Sequence, residues 1–254
     1  MSGNHRVRRA LVTIATARWR SAAKPEEGGS RVLESQAGRT IGDIGRAAQE
    51  HLGTKHAARE RALPRSRAAI RLSANAIRAA HRNDFDTARR LLTEAGGLLR
   101  DMATDLAGHL DIFYAGFVAD AQKEYAEAAL TCALIRRDPL PSPEELGIEW
   151  APYINGMGES VGELRRYVLD RLRRDELDGC EALLADMDEI YAVLIGLDFP
   201  DAITGNLRRT TDSVRGILEK TRGDLTLGLS QARLTNTMAR IEQQLREQRR
   251  ASDF

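Results

Sequence analysis

From Ile41 to about residue 248, apolar residues recur every three or four positions, the period of an amphipathic helix. The spacing predicts a first helix over 41–82, bent or broken at Pro64, where the ring strikes the preceding turn and the amide donor is missing. Its second half places Ile70, Ser73, Ile77 and Ala80 on one face. Asn83-Asp84 ends it and caps a second helix over 85–108, where Gly96-Gly97 marks a weak spot or a close helix crossing. A third helix is predicted over 110–137. Pro139, Pro141 and Pro143 then crowd one loop, and Ser142 caps a short turn at 143–146. A fourth helix covers 152–174 and a fifth 176–197, and Gly205-Asn206 opens a last one reaching 248. The prediction is an all-α, single-domain bundle of six to seven long helices with no strands.

Composition agrees. The chain carries 36 Ala, 34 Arg and 30 Leu but only 8 Val among 254 residues, a vocabulary of helix formers that leaves no room for a large sheet. Net charge is +1, which excludes no class of partner. The charge is unevenly spread, however. Residues 1–40 hold eight basic and three acidic side chains, a net of +5, so the remainder carries −4. This segment includes the linker-like Lys24-Pro25-Glu26-Glu27-Gly28-Gly29-Ser30 and is expected to be a disordered basic extension. The domain proper is placed at 41–248, with 249–254 as a tail. Cys132 and Cys180 are too few for a four-ligand zinc site and read as buried, reduced thiols. The apolar run Ala10 to Ala17 is too short to span a bilayer, so a soluble cytoplasmic protein is expected.

Candidate chemistry lies in acids. Glu124 and Glu127 are three apart on the third helix and share a face with Phe117, Ala121, Ala128, Thr131 and Ile135, so their carboxylates are expected to be partly desolvated. Glu159 and Glu163 form a second pair four apart, each preceded by a glycine, Gly158 and Gly162, that admits a neighbouring backbone or a ligand. If the two pairs met across a helix crossing, their repulsion would call for a divalent cation, and Mg²⁺ or Mn²⁺ suits an all-oxygen site. The plainer reading, which spacing alone favours, is a solvated acidic stripe with Glu163 paired to Arg166. On the last helix Leu207, Thr210, Val214, Ile217 and Thr221 recur at helical spacing as a seam for another helix or another subunit. Arg208, Arg215 and Arg222 flank it at intervals of seven, either as a phosphate track or as partners of Asp212 and Glu219. Gly156-Met157-Gly158 is only a fragment of a dinucleotide fingerprint, and no HExxH, GxSxG or P-loop pattern exists.

The segment 66–82, the run Glu124-Tyr125-Ala126-Glu127-Ala128, the Gly162-Glu163-Leu164 turn and the segment 206–225, in that order, resemble the translin superfamily. The likeness covers roughly residues 41–245 and is closer to the translin-associated factor X branch, with its prokaryotic single-gene relatives, than to translin. It implies an all-α fold of about seven helices closing into homo-hexamers or homo-octamers around single-stranded RNA or DNA. It also implies a divalent-metal endoribonuclease. On that pattern Glu124, Glu127 and Glu163 match catalytic, metal-holding acids, Glu159 stands where the family has Asp, and Arg166 matches a phosphate-steadying arginine. Ala115-Gly116 stand where relatives carry a His or Arg for nucleic acid. The resulting expectation is a single-stranded RNA-binding oligomer that cleaves RNA with Mg²⁺ or Mn²⁺ on the four glutamates. Arg166, Arg208, Arg215 and Arg222 are expected on phosphate, and Leu207, Val214 and Ile217 between subunits. A non-catalytic binding oligomer and a helical scaffold for a protein partner remain the alternatives.

Overall fold

The computed structural model describes residues 40–252, with side-chain surroundings through residue 248. The expectations for residues 1–39 and for the last two residues lie outside the described residues. The described chain is helical throughout and contains no strand. Its elements are α1 (Ile41–His81), α2 (Phe85–Asp105), α3 (Leu110–Phe113), α4 (Gly116–Arg136), α5 (Pro143–Leu146), α6 (Trp150–Leu172), α7 (Cys180–Gly196), α8 (Asp201–Thr204) and α9 (Leu207–Ser252). Six are long, as predicted. No described helix is long and apolar enough to cross a membrane.

Two expectations about continuity change. Helix α1 runs unbroken through Pro64, which faces outward, while Ala58, Ala62, Ser66 and Ala69 on either side are buried against the same neighbours. Packing on both sides of the proline keeps the helix continuous there. The predicted third helix is instead two. Residue Ala115 is extended (φ −72°, ψ 150°) and acts as the N-cap of α4, separating it from the single turn of α3. The short turn at α5 is as predicted, with a capping box in which the Ser142 hydroxyl accepts from the Glu145 amide and the Glu145 carboxylate accepts from the Ser142 amide. Helix α9 continues to Ser252, past the predicted end.

Helix α4 lies at the centre, packed on α1, α2 and α6, and is buried over most of its circumference. Alanines at 58, 62 and 69 of α1, with Ala121, Ala126 and Ala129 of α4, let these helices approach closely. Of the glycines expected at a close crossing, Gly96 makes one: a Cβ there would stand 2.7 Å from the Tyr125 hydroxyl. A second core joins α6, α7 and the first half of α9 through Val161, Leu164, Val168, Met187, Leu194, Val214 and Leu218. Helix α6 belongs to both cores. The predicted subunit seam is consumed here. Leu207 and Val214 are 3% and 1% exposed within the single chain, and Ile217 packs against the same cluster. Helical spacing shows that a face is buried but not by which chain, and α6 and α7 cover it.

Candidate metal centre and adjoining cavity

Two glycines bring α6 into contact with its neighbours. A Cβ on Gly156 would lie 2.5 Å from the Lys123 carbonyl oxygen and 2.9 Å from the Glu127 amide nitrogen, so α4 and α6 cross almost backbone to backbone. A Cβ on Gly158 would strike the Thr210 methyl of α9. The crossing at Gly156 sets the acidic turns of α4 and α6 side by side.

One carboxylate oxygen from each of Glu124, Glu127 and Glu159 lies within 4.8 Å of the others, and all three side chains are half-buried. The pairing that spacing could not show is therefore present. The longer Glu159 side chain, at the position where the family pattern has Asp, still reaches the group. Glu163 stands one turn along α6 and is held apart, its Oε2 2.5 Å from Nε2 of His81 at the end of α1. Arg166 stands 3.9 Å from Glu163 and is 61% exposed, a loose pair that leaves most of its guanidinium to solvent.

The electrostatics follow from this packing. Burial pushes the Glu127 carboxyl up to about 8, and the charges of Glu124, Glu159 and Glu163 add to the push against a small opposing effect of Lys123. Glu124 is raised as well, first by burial, with Lys123 opposing and Glu159 and Asp120 adding. Glu163 moves the other way, lowered by the hydrogen bond to His81 against the effect of burial, with further help from the charges of His81 and Arg166. Lys123 reaches into the cluster, its Nζ 2.7 Å from Glu159 and 3.9 Å from Glu124. Burial alone would lower its pKa, yet the bond and charge of Glu159, with Glu124 and Asp120, leave it raised.

The donor set fits a hard divalent cation: three carboxylates converge from two helices, and burial holds the pKa of one of them, Glu127, well above the usual carboxylate range. Sequence reasoning did not single out His81 or Lys123. The His81 ring is 7% exposed and its Nδ1 has no hydrogen-bond partner among the described residues. Nothing in the spacing links it to Glu163, 82 positions away.

Glu127, Glu159 and Glu163 also border a cavity of about 630 Å³ between α4, α6 and the start of α9. Neither Arg166 nor any of Arg208, Arg215 and Arg222 lines it. Arg215 is paired with Glu219 at 3.2 Å and Arg222 with Asp188 of α7 at 2.5 Å, so these two make ion pairs rather than an open phosphate track. Arg208 is exposed. The arginine that does line the cavity is Arg209.

No family model matches the chain. An uncharacterized protein of Methanocaldococcus jannaschii, MJ0175, is 33% identical over 195 residues, which are 76% of this chain and 86% of that one. Among solved structures, AfC3PO in complex with duplex RNA is 29% identical with a TM-score of 0.70, over 75% of this chain and 98% of that one. AfC3PO alone is 28% identical with a TM-score of 0.69, over 75% and 99%. The chain belongs to the translin superfamily. Apo-NeC3PO, 21% identical with a TM-score of 0.66 over 75% of this chain and 100% of that one, shares the translin-like fold.

Proposed function

We propose that this translin-superfamily protein binds RNA and cleaves it as a Mg²⁺- or Mn²⁺-dependent endoribonuclease. The observation that carries the reading is the convergence of Glu124, Glu127 and Glu159 from two helices in a half-buried setting, where Lys123 is the one cation against three carboxylates. The likeness to AfC3PO, crystallised with duplex RNA, supports nucleic acid as the ligand. A Mg²⁺ or Mn²⁺ held there would supply a Lewis acid for a phosphate oxygen. The chain's own residues do the rest. Glu124, Glu127 and Glu159 are the holding groups, His81 fixes the Glu163 carboxylate one turn along α6, and Arg166 is free to meet phosphate charge from the solvent side.

A binding-only reading draws on one observation, the Lys123 ammonium already seated against Glu159 and Glu124. Cleavage of labelled single-stranded and duplex RNA in Mg²⁺ and in Mn²⁺ separates the two. Wild type should cut at least one of them, and Glu124→Gln should bind as tightly but not cut. Wild-type protein that binds and never cuts, in either metal, makes the binding-only reading correct.

Assembly as a homo-oligomer, hexamer or octamer, belongs to the same proposal but on a different surface from the predicted one. The outer half of α9 exposes Leu227, Leu234, Met238, Ile241 and Leu245, each at least half exposed. The last four are spaced 4-3-4, the interval of a coiled-coil seam, and are flanked by Thr235, Thr237, Glu242 and Gln244, of which only Glu242 is charged.

A further inference from the structure

The cavity beside the carboxylates is larger than a cation requires. A fully hydrated cation, six waters at about 30 Å³ each, needs about 180 Å³, whereas the cavity holds about 630 Å³, the size of a small-ligand pocket. Its lining carries both signs: Asp120, Lys123 and Glu127 come from α4, Glu159 and Glu163 from α6, and Arg209 from the first turn of α9. The Arg209 guanidinium makes no ion pair or hydrogen bond with any described residue, whereas those of Arg215 and Arg222 on the same helix are both paired.

The wall that carries Arg209 is fixed in place. Asn155 of α6, 5% exposed, donates to the Ala151 carbonyl at 2.9 Å and the Thr204 carbonyl at 2.6 Å, and accepts from the Thr210 hydroxyl at 2.7 Å. These bonds tie α6 to the turn where Gly205 (φ 64°) and Asn206 (φ 67°) both take the left-handed conformation before α9 begins. Gly158 and Gly162 lie along the floor, and no aromatic side chain is among the lining residues, so a base would find nothing to stack on. A guanidinium lining the same cavity as a cation-holding carboxylate group calls for an anion between them, and a phosphodiester can offer an oxygen to each.

We infer that this cavity is a nucleotide subsite in which Arg209 holds a backbone phosphate of the RNA strand, without reading the base; the inference rests on the RNA reading above. Its test is equilibrium binding of fluorescent oligouridylate and oligoadenylate in EDTA, where no cleavage occurs, to wild type, Arg209→Ala, Arg209→Lys and Arg215→Ala. The last removes the same charge from the same helix outside the cavity. Arg209→Ala should weaken both oligonucleotides at least tenfold and lower the salt slope of log K by about one. Arg209→Lys should recover part of the loss, and Arg215→Ala should stay within twofold. Melting temperatures should match throughout, since Arg209 is exposed and unpaired in the fold. If wild type binds RNA and Arg209→Ala loses no more than Arg215→Ala, or if only one base type is affected, the subsite is refuted while the RNA reading stands. If wild type binds neither oligonucleotide nor duplex RNA, in EDTA and with Mg²⁺ or Mn²⁺ present alike, the RNA reading itself has failed.

Discussion

Replacing Glu127 with Gln removes a charge and keeps the shape, so it isolates what the buried carboxyl costs the fold. In the unfolded chain this carboxyl titrates near its ordinary 4.5, and in the folded protein near about 8. Below pH 4.5 both states hold the proton and the residue contributes no difference. Between 4.5 and 8 the unfolded chain releases the proton while the folded one keeps it, so stability declines as pH rises, by about 1.4 kcal/mol per pH unit. Above 8 the loss is complete. Over the whole interval the cost is roughly 3–5 kcal/mol, allowing for screening of the neighbouring charges by solvent. In EDTA, Glu127→Gln should therefore melt near wild type at pH 4.5 and well above it at pH 8.5, by roughly 10 °C for a domain of this size. Millimolar Mn²⁺ at pH 8.5 should raise wild type much more than the variant, because the cation binds the folded state and replaces the missing counter-charge. The assay is thermal unfolding across pH with and without Mn²⁺. A melting difference that stays constant from pH 5 to 8.5 would refute the claim that Glu127 is desolvated among like charges.

Two further predictions concern the packing that makes the site. Gly156→Ala must part α4 from α6, since the new methyl meets the Lys123 carbonyl and the Glu127 amide rather than a side chain that can turn away; it should cost about 3 kcal/mol and weaken Mn²⁺ binding in calorimetric titration, and unchanged values for both would show that the crossing is looser. Val214→Asp should unfold the monomer, because the charge has no route to water from a position 1% exposed, whereas Ile241→Asp should leave the circular dichroism and melting of the chain intact and reduce its mass in light scattering; the opposite pattern would return the subunit contact to the first half of α9.

What the sequence made legible follows from which forces act locally. Helix identity is written in a 3–4 period, and all six long helices were readable from it. The break at Ala115 was not, because neither proline nor a strong cap marks it; Ala115 takes its extended conformation with no side-chain cap bond to announce it. At Pro64 the local rule was overridden by burial on both sides of the proline. In the site, the spacing of Glu124 with Glu127 and of Glu159 with Glu163 was visible, and the family resemblance joined the pairs. What joins them physically is a single glycine contact, and a lone Gly156 in a helix looks the same whether it faces solvent or another backbone. His81 and Glu163 meet only because α1 ends where α6 passes. The arginine stripe shows a related limit. A period of seven puts side chains on one face without saying what faces them, and the partner of Arg222 is Asp188 on α7, not a neighbour on its own helix.

The arrangement of charge around Lys123 shows why this cluster is not an ordinary acidic face. On a solvated stripe, glutamates spread apart and ion pairs contribute little. Here Glu124 and Glu127 project from the most enclosed helix of the fold, and Gly156 presses α6 onto the same turn, so the packing of two cores fixes the backbone from which the carboxylates extend. Three local devices relieve the repulsion: a proton on Glu127, the Lys123 ammonium against Glu159, and the His81 ring against Glu163. The first two can be withdrawn without disturbing the backbone, since a proton can leave and a lysine can swing into solvent, while the His81 bond keeps Glu163 on a partner of its own. A fold that only needed neutral packing at this crossing would have been served by alanine at these positions. Carboxylates held together by close packing, with compensating charges that can be exchanged, are the arrangement expected where the compensating charge is meant to be a divalent cation.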